Sequence, residues 1–252
     1  VGTGALQDNT LGQGNVAVGL DALKNGARGS NNVALGSKTL ETSDGGDANV
    51  ALGYAAMNNN TTGDANVASG NGALGSNTSG VANVASGTSA LGENTRGNSN
   101  VASGASALQS NKSGIRNVAL GSNALLNSTG NSNVAVGTFA GKNSTSGSNN
   151  VYLANAGVAG ESGRVRIGTA GEQNAVFLAG VNRTIPGPAQ PLLVNSSGLL
   201  GTSTGAGAAS TVKAAGPTAL SRLRDRLHRQ AAALHRQQRE IAQLKRLVLG
   251  DR

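Results

Sequence analysis

Short apolar segments recur at a fixed interval along the first two thirds of the chain, and each begins with an Asn-Val pair. Successive pairs keep a 17-residue spacing, with a single 16-residue interval. The pairs are Asn15 and Val16, Asn32 and Val33, Asn49 and Val50, Asn66 and Val67, Asn83 and Val84, Asn100 and Val101, Asn117 and Val118, Asn133 and Val134, and Asn150 and Val151. A fixed spacing of this length indicates a solenoid, in which each repeat forms one coil that stacks on the next.

Each repeat reads Asn-Val-Ala-(Val/Leu/Ser)-Gly, then two residues and Ala-Leu, then a polar loop that ends in a second Gly. Strand alternation puts Val118 and Leu120 on one face and Ala119 on the other. We expect the Val, the third strand residue and the later Leu to form the core, and the Ala-Leu pair to form a second, weaker strand. The two glycines fit turns with positive φ or close backbone approaches. The 16-residue interval reflects one residue missing from the loop at 127–130, so this segment is loop rather than strand.

The Asn before each Val fits two structural roles. It can cap a tight corner by bonding its own backbone, or it can stack in a ladder whose side chains bond the next coil. The sequence leaves both roles open, and it argues against a ligand site at these positions.

The core predicted for each coil is thin. Coils that stack at about 4.8 Å would make a rod about 40 Å long from nine coils. Ordering each residue costs about 1–2 kcal/mol, which so few apolar side chains do not offset. We therefore expect several chains to share a core.

Serine replaces Val or Leu at one strand position in three consecutive repeats, at Ser69, Ser86 and Ser103. If this position faces a trimer axis, these residues form axial polar layers that can hold water or an anion. Partial exposure of the position explains the serines more simply. The two histidines, His228 and His235, lie far away in the sequence, so no general base accompanies a serine nucleophile. The chain also lacks cysteine and metal-ligand spacing, and we expect no enzyme activity, cofactor or metal site.

The repeat motif resembles a known family. Asn-Val-Ala-Val-Gly and Asn-Val-Ala-Leu-Gly are similar to the Asn-Ser-Val-Ala-Ile-Gly repeats in the heads of YadA-like trimeric autotransporter adhesins. The longer unit resembles repeat regions of bacterial and phage fibre proteins, many of which end in an endosialidase-type chaperone. Residues 166–181 and 193–201 are similar to the connector after such repeats. The resemblance covers roughly residues 1–201 and implies a homotrimer of left-handed parallel β-rolls, but no chaperone domain is recognised after Gly201.

The remainder of the chain has a different composition. Residues 164–181 predict two strands, residues 192–195 predict one, and residues 201–216 read as a flexible linker. From Pro217, apolar and Gln positions in heptads predict a coiled coil about 50 Å long. Its core positions are Leu220, Leu223, Leu227, Gln230, Leu234, Gln237, Ile241, Leu244 and Val248. Residues 213–252 carry ten Lys or Arg against three acidic residues, and their spread around the helix favours a solvated coiled-coil surface over nucleic-acid binding.

These patterns predict a mostly β chain with three parts, and the resemblance implies that the roll is left-handed and the chain homotrimeric. A parallel β-roll head of about nine coils occupies residues 1–163, a β neck and linker occupy 164–216, and a basic α-helical coiled coil, which the resemblance implies to be a trimerisation helix, occupies 217–252. The predicted function is a structural and adhesive fibre, extracellular or on a cell surface or phage tail. Loops such as 42–47 and 58–64 would bind an unidentified receptor or glycan through avidity.

Three other functions fit the same sequence. One is a subunit of an extracellular filament that stacks end to end, and another is a phage tail-spike protein active on glycans. The third is a protein that binds anions or nucleic acid through its basic tail. No run of about 20 apolar residues predicts a membrane span.

Overall fold

The computed structural model describes residues 1–26, 28–173, 192–194 and 200–202. In its first unit, ten short parallel strands follow chain order across a single sheet. They are β1 Val16–Val18, β2 Val33–Leu35, β3 Val50–Leu52, β4 Val67–Ser69, β5 Val84–Ser86, β6 Val101–Ser103, β7 Val118–Leu120, β8 Val134–Val136, β9 Val151–Leu153 and β10 Val165–Ile167. The prediction of a parallel β-solenoid whose coils follow the 17-residue repeat is therefore confirmed.

Equivalent residues of successive coils lie directly above one another. Val84 pairs with Val101 and Ala85 with Ala102, and the same register holds from coil to coil. It also holds across the one shorter interval, where Val118 pairs with Val134. The missing residue is therefore absorbed in the loop, as the sequence predicted.

The strand face that forms the core is the opposite of the one we predicted. Ala119 is fully buried, whereas Leu120 on the other face keeps 40% of its surface exposed. The same pattern of buried Ala between more exposed neighbours repeats from β1 to β8. Physically, so short a coil is narrow, and its interior at the strand admits a methyl group rather than a branched side chain. The larger Val and Leu side chains therefore point outward.

The Ala-Leu pair does not form the predicted second strand. Both residues are buried, as Ala90 and Leu91 illustrate, but Leu91 adopts a left-handed conformation with φ 50°. Ser89, two residues earlier, is also left-handed at φ 55°, and such residues turn the chain rather than extend it. Backbone hydrogen bonds still connect the coils here, for example from Leu91 N–H to the Ala107 carbonyl at 2.9 Å. Each of these coils therefore has one strand and one stacked turn.

The two glycines of each coil meet two different requirements. Gly87, directly after β5, has φ 133°, in a region that side chains disfavour. At Gly97 the limit is space, because an added Cβ would lie 2.6 Å from the Gly114 carbonyl oxygen in the next coil. Positive φ and close backbone approach, both predicted, thus apply to different glycines.

β10 adds a tenth strand to the sheet beyond the predicted head boundary at residue 163. It pairs in parallel with β9, Val165 against Val151, and accounts for the first of the two strands predicted over 164–181. The second of those strands lies outside the described residues.

A second unit of the chain begins after residue 177. Its described residues form the antiparallel pair β11 Leu192–Val194 and β12 Leu200–Thr202. The strand predicted at 192–195 is confirmed, whereas the linker predicted from residue 201 is wrong at its start, since residues 201 and 202 lie in β12. The predicted coiled coil, with all its core positions from 220 to 248, lies outside the described residues.

Candidate functional site

The most extensive candidate surface is the row of outward strand positions. We define the outward face as the first and third residues of β1 to β10. The first residue is Val in every one of these strands, and the third is Val, Leu, Ile or Ser. Ten of these side chains expose between 37% and 69% of their surface: Val16, Val18, Leu35, Val67, Val84, Leu120, Val136, Leu153, Val165 and Ile167. The face carries no charged residue along the whole sheet, and it is apolar except for the serines of β4 to β6.

The three serines of interest lie on this outward face. Ser69 pairs with Ser86, and Ser86 with Ser103, in the parallel register of β4 to β6. Ser86 and Ser103 are exposed and Ser69 is half-buried. The simpler interpretation, a partly exposed position, describes the single chain, and whether the serines approach an axis depends on assembly.

The Asn residues that precede each Val form a continuous ladder, which we call the Asn-Val ladder. Asn66 shows the geometry: its Nδ2 donates to Asn49 Oδ1 at 3.1 Å and to the Gly80 carbonyl at 2.8 Å. Its Oδ1 accepts from the backbone N–H of Asn83 at 3.0 Å and from Asn83 Nδ2 at 3.1 Å. All four hydrogen-bonding positions of the amide are satisfied although the residue is fully buried. Of the two roles that the sequence left open, the structure shows the ladder.

One rung of this ladder crosses the short coil. The Asn133 backbone N–H still donates to Asn117 Oδ1 at 2.9 Å, and Asn133 Nδ2 donates to the Gly147 carbonyl. The described contacts contain no side-chain bond between Asn133 and Asn117 like the one that joins Asn66 and Asn49. The Asn15–Asn32 rung, across a full-length coil, has the same pattern of one backbone bond and one bond to a glycine carbonyl, so the shorter loop preserves both the register and the backbone part of the ladder.

A second ladder was missed by the sequence analysis. Asn60, Asn77, Asn94 and Asn111 stack in successive coils, and we call them the loop ladder. Asn94 Nδ2 donates to Asn77 Oδ1 at 2.8 Å and to the Gly97 carbonyl at 3.1 Å. The signal was present in the sequence as an Asn three residues before the second glycine in four consecutive coils.

Serine interrupts the loop ladder on both sides. Ser43 precedes it and Ser128 follows it, and the hydroxyls of both are buried without a hydrogen-bond partner. Asn111 Oδ1, which faces the Ser128 side, is also left without a partner. Serine is too short to reach the next coil, so the loop ladder is confined to the four coils from Asn60 to Asn111.

The loops proposed as receptor contacts hold acidic residues that bond to neighbouring coils. Asp47 Oδ1 accepts the backbone N–H of Ser30 at 2.7 Å, and Asp64 Oδ1 accepts that of Asp47 at 2.8 Å. These carboxylates cap the backbone of the preceding coil at an exposed corner. Asp47 and Asp64 thus have a structural role, whatever the loops contact.

The last coils replace the repeat by a different packing. Tyr152 occupies the strand position that Ala holds in β1 to β8, opposite Ala135, and it is fully buried. Gly141 stands where the other coils have Leu or, in one coil, Met57, and an added Cβ there would lie 2.8 Å from Tyr152 Cδ2. The large ring and the missing side chain compensate for each other in volume, as expected of an atypical terminal unit.

An ion pair lies next to this ring. The Arg166 guanidinium bonds to Glu161 with Nη2 to Oε2 at 2.6 Å and Nε to Oε1 at 2.9 Å. Hydrogen bonding from Arg166 lowers the pKa of Glu161, and burial raises the pKa of the Tyr152 hydroxyl, to which the Glu161 charge adds. The perturbed groups belong to the packing of the last coils.

Among the described residues, no three His, Asp or Glu side chains lie close enough to hold a metal ion, and both histidines lie outside that part of the chain. Within the same residues, no helix is long and apolar enough to cross a bilayer. Protein-family profiles, curated proteins and solved structures were all compared with this chain, and none of them gives a match.

Proposed function

We propose that this chain is the subunit of a homotrimeric, left-handed β-roll fibre that acts in adhesion at a bacterial surface or on a phage tail. The observation that carries the proposal is the outward face, an uncharged strip with at least one apolar residue on every strand of the solenoid. Isolated exposed apolar residues are ordinary, but a contiguous strip of this length marks an interface. Packing three such strips together would supply the core that a single coil lacks.

The adhesive part of the proposal rests on repetition. Each coil presents a polar loop at the same place, and residues 42–47 and 58–64 lie in two such loops of consecutive coils. Many equivalent weak contacts on a rigid support raise overall affinity through effective concentration, without a deep pocket. A coiled coil at residues 217–252, as the sequence predicts, would reinforce the trimer that the outward faces form.

The assembly is tested by the absolute mass of the full chain in solution, which light scattering measures directly. One chain has a mass of 24.7 kDa, and we expect three times that value. A mass of one chain would contradict the proposal, and open-ended species of much higher mass would favour the filament.

A charge on the outward face tests the interface itself. Leu120→Lys places an ammonium where Leu120 is 40% exposed, so the single coil tolerates it while a trimer core does not. We expect this variant to dissociate and keep its β-sheet circular dichroism. Thr88→Lys is the matched control, because Thr88 is exposed in the same solenoid but lies outside the outward face, and it should remain trimeric.

Adhesion is tested by binding of the trimer to arrays of host and bacterial glycans and to immobilised matrix proteins. We expect retention by at least one surface, reduced about 100-fold or more in the Leu120→Lys variant because avidity is lost. Equal binding of the monomeric variant would contradict a multivalent mechanism.

A further inference from the structure

The third residues of the strands form a block pattern along the outward face. β1 to β3 carry Val18, Leu35 and Leu52, and β7 to β9 carry Leu120, Val136 and Leu153. Between them, β4 to β6 carry the three serines. The first residue of every strand is Val throughout, so the serine block is the main feature that distinguishes one level of this face from another.

The occupant of this face must match an apolar strip of its full length. The exposed and half-exposed Val, Leu and Ile side chains amount to roughly 1,000 Å² per chain, compared with about 800 Å² per partner in a standard stable interface. The absence of charged residues on the face excludes recognition by charge complementarity. A second copy of this chain, parallel and in register, places apolar levels against apolar levels and serines against serines.

We propose that two further copies of this chain cover the outward face, and that Ser69, Ser86 and Ser103 fix their axial register. This inference rests on the proposed trimer and adds a function for the serine block within it. Because the repeat is periodic, a chain displaced by one coil still meets Val with Val at the first strand position. Only the third position registers the displacement, since a one-coil slip sets Leu52 level with a serine at one end of the block and Leu120 level with a serine at the other.

The physical basis is the difference between a polar and an apolar level. A serine hydroxyl that faces other serines, or water held between them, keeps hydrogen-bond partners. The same hydroxyl packed against Leu loses them, and the Leu loses apolar contacts. A slip of one coil creates two such mismatched levels and a slip of two coils creates four, so the penalty rises with displacement. A periodic face would otherwise leave the register weakly specified.

The test is self-sorting between chains whose serine blocks stand at different levels. Leu52→Ser with Ser103→Leu moves the block down by one coil, and Ser69→Leu with Leu120→Ser moves it up by one. Both keep the composition of the face and the rest of the full chain. A slip that realigned the blocks would leave an end coil unmatched, so it does not remove the penalty. Leu120→Val is the matched control, because it changes the same face and leaves the block in place.

Differently tagged chains are unfolded, mixed in equal amounts, refolded and analysed by native mass spectrometry. Wild type and Leu120→Val should mix statistically, with about three quarters of the trimers containing both chains. Wild type mixed with either shifted variant should give at least about threefold fewer mixed trimers, and the two shifted variants mixed with each other fewer still. Each variant is first shown to form trimers alone, and the two opposite shifts serve as independent tests.

The outcomes separate this inference from the proposed function. Statistical mixing of trimers in every combination would overturn the serine register and leave the trimer intact, with register set elsewhere in the chain. A monomeric or dimeric wild type would overturn both. Segregation that increases from zero to two to four mismatched levels is the result that supports the inference.

Discussion

The Asn-Val ladder makes its strongest prediction at Asn83, in the middle of the solenoid. Asn83→Ala removes the acceptor for the backbone N–H of Asn100, which now bonds to Asn83 Oδ1 at 3.0 Å. Asn100 Nδ2 also loses its 3.0 Å bond to the same oxygen, but it retains the Gly114 carbonyl at 2.8 Å. The Gly97 carbonyl loses Asn83 and retains Asn94. One backbone donor is therefore left buried without a partner.

The expected cost follows from this accounting. An unpaired buried N–H costs about 1–3 kcal/mol, and each further lost hydrogen bond costs about 1 kcal/mol. Three further bonds are lost, those of Asn83 with Asn100 Nδ2, the Gly97 carbonyl and Asn66 Oδ1, so the sum for Asn83→Ala is about 4–6 kcal/mol of unfolding free energy. Asn71→Ala is the control, because Asn71 is an exposed Asn of the preceding coil and should change stability by less than about 0.5 kcal/mol.

Two measurements check the loss. Denaturant midpoints are compared at one protein concentration, since the apparent stability of an oligomer depends on that concentration. Hydrogen exchange reports the Asn100 amide directly, and it should lose protection while the Val101 amide, bonded to the Asn117 carbonyl at 2.8 Å, keeps it. A loss below about 1 kcal/mol, or an Asn100 amide that stays protected, would refute the reasoning.

The isosteric change Asn83→Asp separates the donor from the acceptor. The carboxylate still accepts from Asn100, but it faces Asn66 Oδ1 and the Gly97 carbonyl, two acceptors that Nδ2 now satisfies. Burial and these acceptors raise the pKa of the introduced Asp above its unfolded value of about 3.9. Stability relative to wild type should therefore be greatest below about pH 3.9, where the acid is protonated and can donate. It should fall as pH rises from there through the folded-state pKa, and a pH-independent difference would contradict this.

Three further changes test the packing. Gly46→Ala puts a Cβ 2.5 Å from the Gly63 carbonyl oxygen and should cost about 3 kcal/mol, whereas Gly45→Ala meets nothing closer than 3.9 Å and should be near neutral; equal denaturant midpoints would contradict the close approach. Tyr152→Ala should cost about 3–5 kcal/mol by leaving a cavity, and adding Gly141→Leu should recover part of it, so additive losses in the double-mutant cycle would exclude the compensation. Ser43→Asn should extend the loop ladder and raise the unfolding free energy by about 1 kcal/mol; a denaturant midpoint equal to that of wild type would contradict this.

The architecture was predictable because the same residue types recur at the same positions of each repeat, in addition to the regular spacing. The regularly spaced Asn-Val pairs located every strand from β1 to β9, and the shortened loop at 127–130 identified a segment that tolerates deletion. Two-residue alternation also separated Ala119 correctly from Val118 and Leu120. What it could not provide was the direction of the core, because both faces of Val-Ala-Leu are apolar. The width of the coil decides this, and width is a property of the closed structure.

The turn and the loop ladder were harder to predict for different reasons. Leu91 at φ 50° is a conformation that local propensity disfavours, and hydrogen bonds between coils hold it there. The loop ladder has a sequence signal, the spacing between Asn94 and Gly97. That spacing alone does not show that the Asn side chains of successive coils bond to each other. The sequence pattern locates these residues, but their structural roles depend on hydrogen bonds between coils.

These contacts separate the stability of a coil from the assembly of the chains. The narrow interior is filled by Ala and Leu and by amides that bond along the axis, so Asn83 stabilises one chain whether or not another is present. The larger apolar side chains of the strands, such as Leu120, point outward, where the same chain does not bury them. A change at Asn83 should therefore lower the stability of the monomeric Leu120→Lys variant about as much as that of the trimer, because the ladder lies within each chain. Losses that differ strongly between the two backgrounds would mean that the ladder and the outward face are coupled.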